Sequence, residues 1–325
     1  MIPKTIHYCW FGTKPLPESA RKCIDSWRRY CPDYEIRRWG EDDFDFDLNE
    51  SCRQAYEEKA WGFVPDFIRL WIVYTCGGIY LDTDVQVVKP LDPLLAHRAF
   101  CGFEQPGNPE TAGELFVNFG QGFGAERGNP LIKAHLDRYA NLSFRLPDGS
   151  LNRTPSPTYT TEVLVAAGLD RTRNAVQELD DITVYPYEYF CPKNFETDIL
   201  SITPHTYSIH HFDASWYTDE EQAVKLERWR AARHAQARST LLKRRPCCGP
   251  SWDRSATTNS AGSSSPPPRP HPACTPFTRP LRAFYRHDHA DFERIQHRKL
   301  KNPNTVLYIW NDTFFGSGTP GIRWL

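Results

Sequence analysis

A run of almost wholly apolar residues from 65 to 75, stopped by Gly77-Gly78 and followed at once by Ile79-Tyr80-Leu81 and Asp82-Thr83-Asp84, constrains the fold of this chain more than any other feature. Pro65 is a good first helical residue. The glycines end the helix as a glycine past a C-terminus does, and the three apolar residues read as a short buried strand. A helix that feeds directly into a buried strand is the unit of an α/β domain. The same alternation runs through the first two thirds of the chain. Strands are expected at 2–10, 34–39, 79–81, 85–88, 99–104, 115–119, 182–185 and 207–212, and helices at 17–30, 50–59, 65–75, 130–141 and 159–168. The expected class is therefore α/β with a mainly parallel central sheet.

Composition narrows what such a domain does. The 325 residues carry 39 Lys+Arg against 40 Asp+Glu, a balance that gives no reason to expect a nucleic-acid partner. Ten cysteines are scattered without zinc-type spacing, which reads as reduced thiols. No stretch reaches the ~20 apolar residues needed to span a bilayer, and the N-terminus has no uninterrupted apolar core of a signal peptide. A cytoplasmic protein is expected.

Four segments follow. Residues 1–217 form the α/β domain, and 218–245 a helix rich in positive charge. Residues 246–280, dense in Pro, Ser and Arg, read as a disordered linker, and 281–325 as a short C-terminal segment of unknown role. The basic helix holds Lys225, Arg228, Arg230, Arg233, Arg238, Lys243, Arg244 and Arg245. With a thin apolar stripe of Leu226, Trp229, Ala232 and Leu241, it is read either as a solvated helix end or as a peripheral contact with the inner face of an anionic membrane.

Chemistry concentrates at Asp-x-Asp triplets, of which the chain has three. Asp43-Phe44-Asp45 and Asp45-Phe46-Asp47 lie in a polar loop and read as a solvated acidic turn. Asp82-Thr83-Asp84 differs because an apolar strand leads straight into it. Its carboxylates then stand at the carboxyl end of a strand, where open α/β sheets bind ligands. Two such carboxylates can share a hard cation, and a cation can neutralise a diphosphate leaving group. In the preceding helix Asp66 and Arg69 are the only charged side chains. Their i, i+3 spacing puts them on one face, where they serve as a buried ion pair or as groups that grip a ligand.

Four blocks in order carry a family resemblance: Ile2-Pro3-Lys4-Thr5-Ile6-His7-Tyr8-Cys9-Trp10-Phe11-Gly12, Phe63-Val64-Pro65-Asp66-Phe67-Ile68-Arg69, Gly77 to Asp84, and His210-His211-Phe212-Asp213-Ala214-Ser215-Trp216. Over residues 1–217 the chain resembles the DXD-containing sugar transferases of glycosyltransferase family 32, which include capsular-polysaccharide and Golgi initiating mannosyltransferases and are similar in their core to the large glucosylating toxins. The resemblance implies a GT-A-type nucleotide-sugar-binding fold, a Mn²⁺ or Mg²⁺ ion, and transfer of a hexose with retention. The donor is a nucleotide sugar and the acceptor a glycan or lipid-linked sugar, in polysaccharide or glycolipid synthesis.

By the same resemblance Trp10 stacks on the donor base, Asp66 and Arg69 hold the donor sugar, and Tyr80 contacts ribose or phosphate. Asp82 meets the ribose and a metal-bound water, and Asp84 the metal. His211 or Asp213 completes the metal shell, and Ser215 and Trp216 reach phosphate. The last block makes chemical sense by itself, since two His and one Asp after a strand offer metal-compatible ligands. His210 is the less favoured of the two histidines. Family members commonly have Ser or Ala where this chain has Pro65, which should leave Asp66 in place. Two other readings fit the strand-Asp-Thr-Asp pattern: a haloacid-dehalogenase-like phosphatase with Asp82 as nucleophile, and a carbohydrate-binding module without turnover.

Overall fold

A computed structural model describes residues 1–106, 114–214 and 217–243, with two short paired strands farther on, β10 (Tyr308–Ile309) and β11 (Ile322–Arg323). The expected linker at 246–280 lies outside the described residues, as does 281–325 apart from those strands.

The central sheet has seven strands in the order β2-β1-β3-β6-β5-β8-β7. They are β1 (Thr5–Cys9), β2 (Glu35–Trp39), β3 (Gly78–Tyr80), β5 (Ala99–Gly102), β6 (Phe123–Ala125), β7 (Gln177–Leu179) and β8 (Ile182–Tyr185). Only β6 and β7 run against the others. The expected α/β class with a mainly parallel sheet is met.

Successive strand residues point to opposite faces, so the sheet separates two cores. Cys9, Tyr80, Ala99 and Cys101 enter one, beneath α2 (Glu50–Glu57), α3 (Val64–Cys76), α4 (Pro130–Tyr139) and α5 (Ser156–Ala166). Ile6, Tyr8, Ile79 and Phe100 enter the other, with Ile24 and Trp27 of α1 (Glu18–Tyr30).

Gly77 and Gly78 allow α3 to pass straight into β3. Both adopt positive φ, at 70° and 106°. A Cβ on Gly78 would lie 2.8 Å from the His7 ring and from the carbonyl of Thr5, so the close approach of β3 to β1 requires glycine.

Two departures from the expected elements shape the site. Residues 115–119 are no strand beyond a single bridge between Phe103 and Val117; the amide of Val117 bonds instead to the Thr161 hydroxyl at 2.9 Å and that of Leu115 to the carbonyl of Arg171 at 2.8 Å. The other is β4 (Val85–Val87), which leaves the sheet and pairs antiparallel with β9 (Ser208–His210), Val85 opposite His210. Its free edge is satisfied by α1: Trp27 Nε1 donates to the carbonyl of Val85 at 2.7 Å, and the amide of Val87 to Ser26 Oγ at 2.9 Å.

Candidate active site

Asp82-Thr83-Asp84 is the turn between the buried end of β3 and the β4–β9 ribbon. The amide of Asp82 donates to the carbonyl of Gly120 at 3.0 Å, and its carbonyl accepts from Val85 at 3.0 Å. Because β9 runs antiparallel to β4, the end of β9 arrives beside the turn. Ligand atoms of Asp82, Asp84 and His210 lie within 4.8 Å of one another, and no other cluster of metal-compatible side chains occurs among the described residues.

The two carboxylates have different partners. Asp84 Oδ1 lies 3.4 Å from His210 Nε2, its Oδ2 accepts from the Asp213 amide at 2.9 Å, and its carbonyl accepts from the His211 amide at 3.0 Å. Burial disfavours its charge, but His210 above all, with the Asp213 amide, holds it well below the usual carboxylate range. Asp82 is raised: burial and the neighbouring Asp84 outweigh the pull of Arg69. Burial acts most strongly against the His210 proton, but Asp84, Asp82 and Glu104 together favour it more, so the net shift is upward. Its Nδ1 is buried with no hydrogen-bond partner among the described residues. Two carboxylate oxygens and an imidazole nitrogen, one histidine atom without a partner, and two carboxylates in mutual repulsion form a donor set that fits a divalent cation.

Helix α3 supplies the other half of the site. Arg69, 5% exposed, donates from Nη2 to Asp66 Oδ1 at 2.6 Å and from Nε to the carbonyl of Pro65 at 3.1 Å, and places Nη1 3.7 Å from Asp82 Oδ2. Its guanidinium lies over the Tyr80 ring at 5.4 Å. Burial raises the Asp66 carboxyl to about 6 against the pull of Arg69. Asp66 thus orients Arg69, and Arg69 meets the DXD motif. Pro65 sits in the first turn of α3 and leaves Asp66 in place.

The structure brings Asp66, Arg69, Tyr80, Asp82 and Asp84 together. His211 instead turns Nε2 to Gln86 Oε1 at 3.0 Å and reaches the site through its amide. Asp213 also contributes its amide; its carboxyl, raised by burial and by Asp84, is bonded to the Ser19 hydroxyl. Trp10 lies at the end of β1, with Nε1 donating to the Lys14 carbonyl at 2.7 Å. Ser215 and Trp216 lie outside the described residues. The acidic loop is a turn: Asp43 and Asp45 bond to the amides of Gly40 and Asp47, while Phe44 and Phe46 enter the core.

Sequence reasoning did not single out Glu104, Asn118 or Gly120. Asn118 donates to Glu104 Oε2 at 2.9 Å and accepts from the Gly120 amide at 2.7 Å, so these residues back the Asp82 amide. A Cβ on Gly120 would run into the Asp82 carboxylate and come within 2.8 Å of Arg69 Nη1. Nothing in their spacing marks these positions, because the loop that carries them is irregular.

The basic helix is present as α6 (Asp219–Lys243). Two residues of its apolar stripe face the domain: Trp229 is buried with Cys191 and Phe212, and Leu226 packs against them. Arg228 pairs with Glu196 at 3.0 Å and Arg233 with Asp198 at 2.6 Å. No described helix is long and apolar enough to cross a membrane.

Residues 17–101 match the family model of a glycosyltransferase sugar-binding region containing a DXD motif. An inositol phosphoceramide mannosyltransferase of Schizosaccharomyces pombe is 36% identical over 118 residues, 32% of this chain and 30% of the relative. The chain spans about a third of the length of the yeast relatives it matches. An uncharacterized glycosyltransferase of Acanthamoeba polyphaga mimivirus is 25% identical over 206 residues, 61% of this chain and 76% of the relative. Among solved structures, the PaToxG glycosyltransferase aligns over 51% of this chain and 69% of its own at 21% identity, with a TM-score of 0.38. The matched region contains Asp66, Arg69, Asp82 and Asp84; over it this chain is similar to the glycosyltransferases that carry a DXD-containing sugar-binding region.

Proposed function

We propose that this protein transfers a hexose from a nucleotide-sugar donor to a lipid-linked or glycan acceptor, with a divalent cation and with retention at the anomeric carbon. The observation that carries the reading is the convergence of Asp82, Asp84 and His210 at the end of β3, with Arg69 poised 3.7 Å from Asp82. A cation held there would neutralise charge on the diphosphate as it leaves. Asp84, kept ionised, and His210 are the firmest donors, and Asp82 faces both the cation position and Arg69. The Arg69 fork, fixed by Asp66, turns Nη1 toward Asp82, where it can orient donor hydroxyls or phosphate oxygens. Gly120 keeps space open between Asp82 and Arg69. Trp10 is assigned to the donor base, Tyr80 to the ribose side, and Ser215 and Trp216 to the diphosphate.

For the acceptor, the names of the yeast relatives favour a glycolipid over a capsular polysaccharide. A ceramide bearing an inositol phosphate headgroup, with mannose as the donor sugar, is the first pair to try. The test is product formation from GDP- and UDP-linked hexoses with this lipid and Mn²⁺; incorporation into lipid supports the reading, and failure with every donor and Mn²⁺ or Mg²⁺ contradicts it. A cytoplasmic location with peripheral contact at the inner membrane face belongs to the same proposal, because a lipid-linked acceptor sits there. Since Lys225, Arg228 and Arg233 are engaged within the fold, that contact would rest on Arg230 and the basic end of the 225–245 segment. Co-sedimentation with anionic vesicles at two salt concentrations tests it, and salt-insensitive or absent binding removes it.

The phosphatase alternative, with Asp82 as nucleophile, has no support in the family match. Donor turnover separates the transferase from a pure carbohydrate-binding module.

A further inference from the structure

Four consecutive carbonyls after β9 are held by side chains. The carbonyl of His211 accepts from Lys193 Nζ at 3.0 Å, and that of Phe212 from Lys225 Nζ at 3.1 Å. The carbonyl of Asp213 accepts from Lys225 Nζ and from Gln222 Nε2, both at 2.8 Å, and that of Ala214 from Gln222 Nε2 at 2.7 Å. Gln222 and Lys225 stand at i and i+3 on the inward face of α6, and Lys225 is 2% exposed. The segment they hold is unusual: Phe212 and Ala214 are non-glycine residues at φ 57° and 48°, a left-handed conformation that persists only where the surroundings enforce it. Between these two residues the Asp213 amide is aimed at Asp84 Oδ2, 2.9 Å away.

A buried ammonium is costly unless its donors are satisfied. Here it is spent on carbonyls directly behind the site, with the Trp229 ring 4.9 Å away on one side. Helix α6 is therefore more than an appendage to the domain.

We propose that Lys225, assisted by Gln222, is a positioning residue for the cation site: it clamps residues 212–214 in their left-handed turn so that the Asp213 amide fixes the Asp84 carboxylate. The inference rests on the reading of Asp84 as a cation ligand.

The test uses the full chain and two readouts. One is Mn²⁺ affinity by titration; the other is amide hydrogen exchange of residues 208–214 without cation. Lys225→Met keeps the aliphatic stem and removes the donors. It should weaken Mn²⁺ binding about tenfold and speed exchange of 208–214. Trp229→Phe, which loses the indole bond to the Phe195 carbonyl but none of the loop bonds, should lower stability and change neither readout. Wild-type affinity and exchange in Lys225→Met would overturn the proposal, and so would equal losses in Trp229→Phe, because the effect would then be general helix packing. Should Lys225→Met fail to fold, Gln222→Leu carries the same expectation at two of the carbonyls, with a severalfold loss. Asp84→Asn separates the two levels of argument: if it binds Mn²⁺ like the wild type, the cation-site reading fails, while the exchange comparison still decides whether Lys225 holds the loop.

Discussion

Asp82 and Asp84 stand two residues apart, yet their carboxyl groups are shifted in opposite directions, because His210 and a backbone amide serve Asp84 while burial and its neighbour's charge act on Asp82. Gly120, having no side chain, leaves the space between Asp82 and Arg69 open. Gly120→Ala should therefore abolish sugar transfer while leaving the circular-dichroism spectrum and most of the stability intact; an active alanine variant would show that Asp82 and Arg69 need no such clearance. Asp66 supports a pH prediction. Its folded carboxyl, at about 6, lies above the roughly 3.9 of an unfolded chain. The folded state then binds the proton more tightly, and this group's contribution to stability rises as pH falls from above 6 toward 4. Asp66→Asn should remove that slope in denaturant midpoints measured across the same range, and an unchanged slope would contradict the assignment. The motif itself was legible, since only one of three Asp-x-Asp triplets follows an apolar strand. Which histidine serves it was not: adjacent strand residues face opposite ways, and the register that turns His210 to Asp84 and His211 to Gln86 comes from pairing with β4.

At the scale of elements, the strongly periodic helices and the β1–α1–β2 and α3–β3 units could be read within about three residues. The misses have physical causes. β6 is Phe123-Gly124-Ala125, whose glycine permits close contact with Phe100 rather than marking a turn. β7 is a polar edge strand with an exposed Glu178. Residues 115–119 bury Leu115, Val117 and Phe119 but pair with another strand only at the Phe103–Val117 bridge, and an apolar pattern reports burial, not hydrogen bonds. The site depends on the β4–β9 ribbon, which α1 anchors through Trp27. Trp27→Phe would leave the Val85 carbonyl without this buried donor and should cost about 2 kcal/mol of stability, read by chemical denaturation. A change within a few tenths of a kcal/mol would mean that the ribbon does not need α1.

Over the whole molecule, one wall of the site comes from the matched region 17–101 and the other from residues more than a hundred positions later, His210 and Asp213 with α6 behind them. Their meeting needed the folded structure, since the sequence showed the blocks but not the ribbon that joins them. The central claim is that this junction is a cation-dependent sugar-transfer site. Its most direct test is nucleotide release from GDP- and UDP-linked hexoses by the full chain with Mn²⁺, with chelator, and with Asp84→Ala. The account predicts release with Mn²⁺ that falls at least a hundredfold in both of the other cases. Equal release by Asp84→Ala, or release that chelator does not touch, would contradict it.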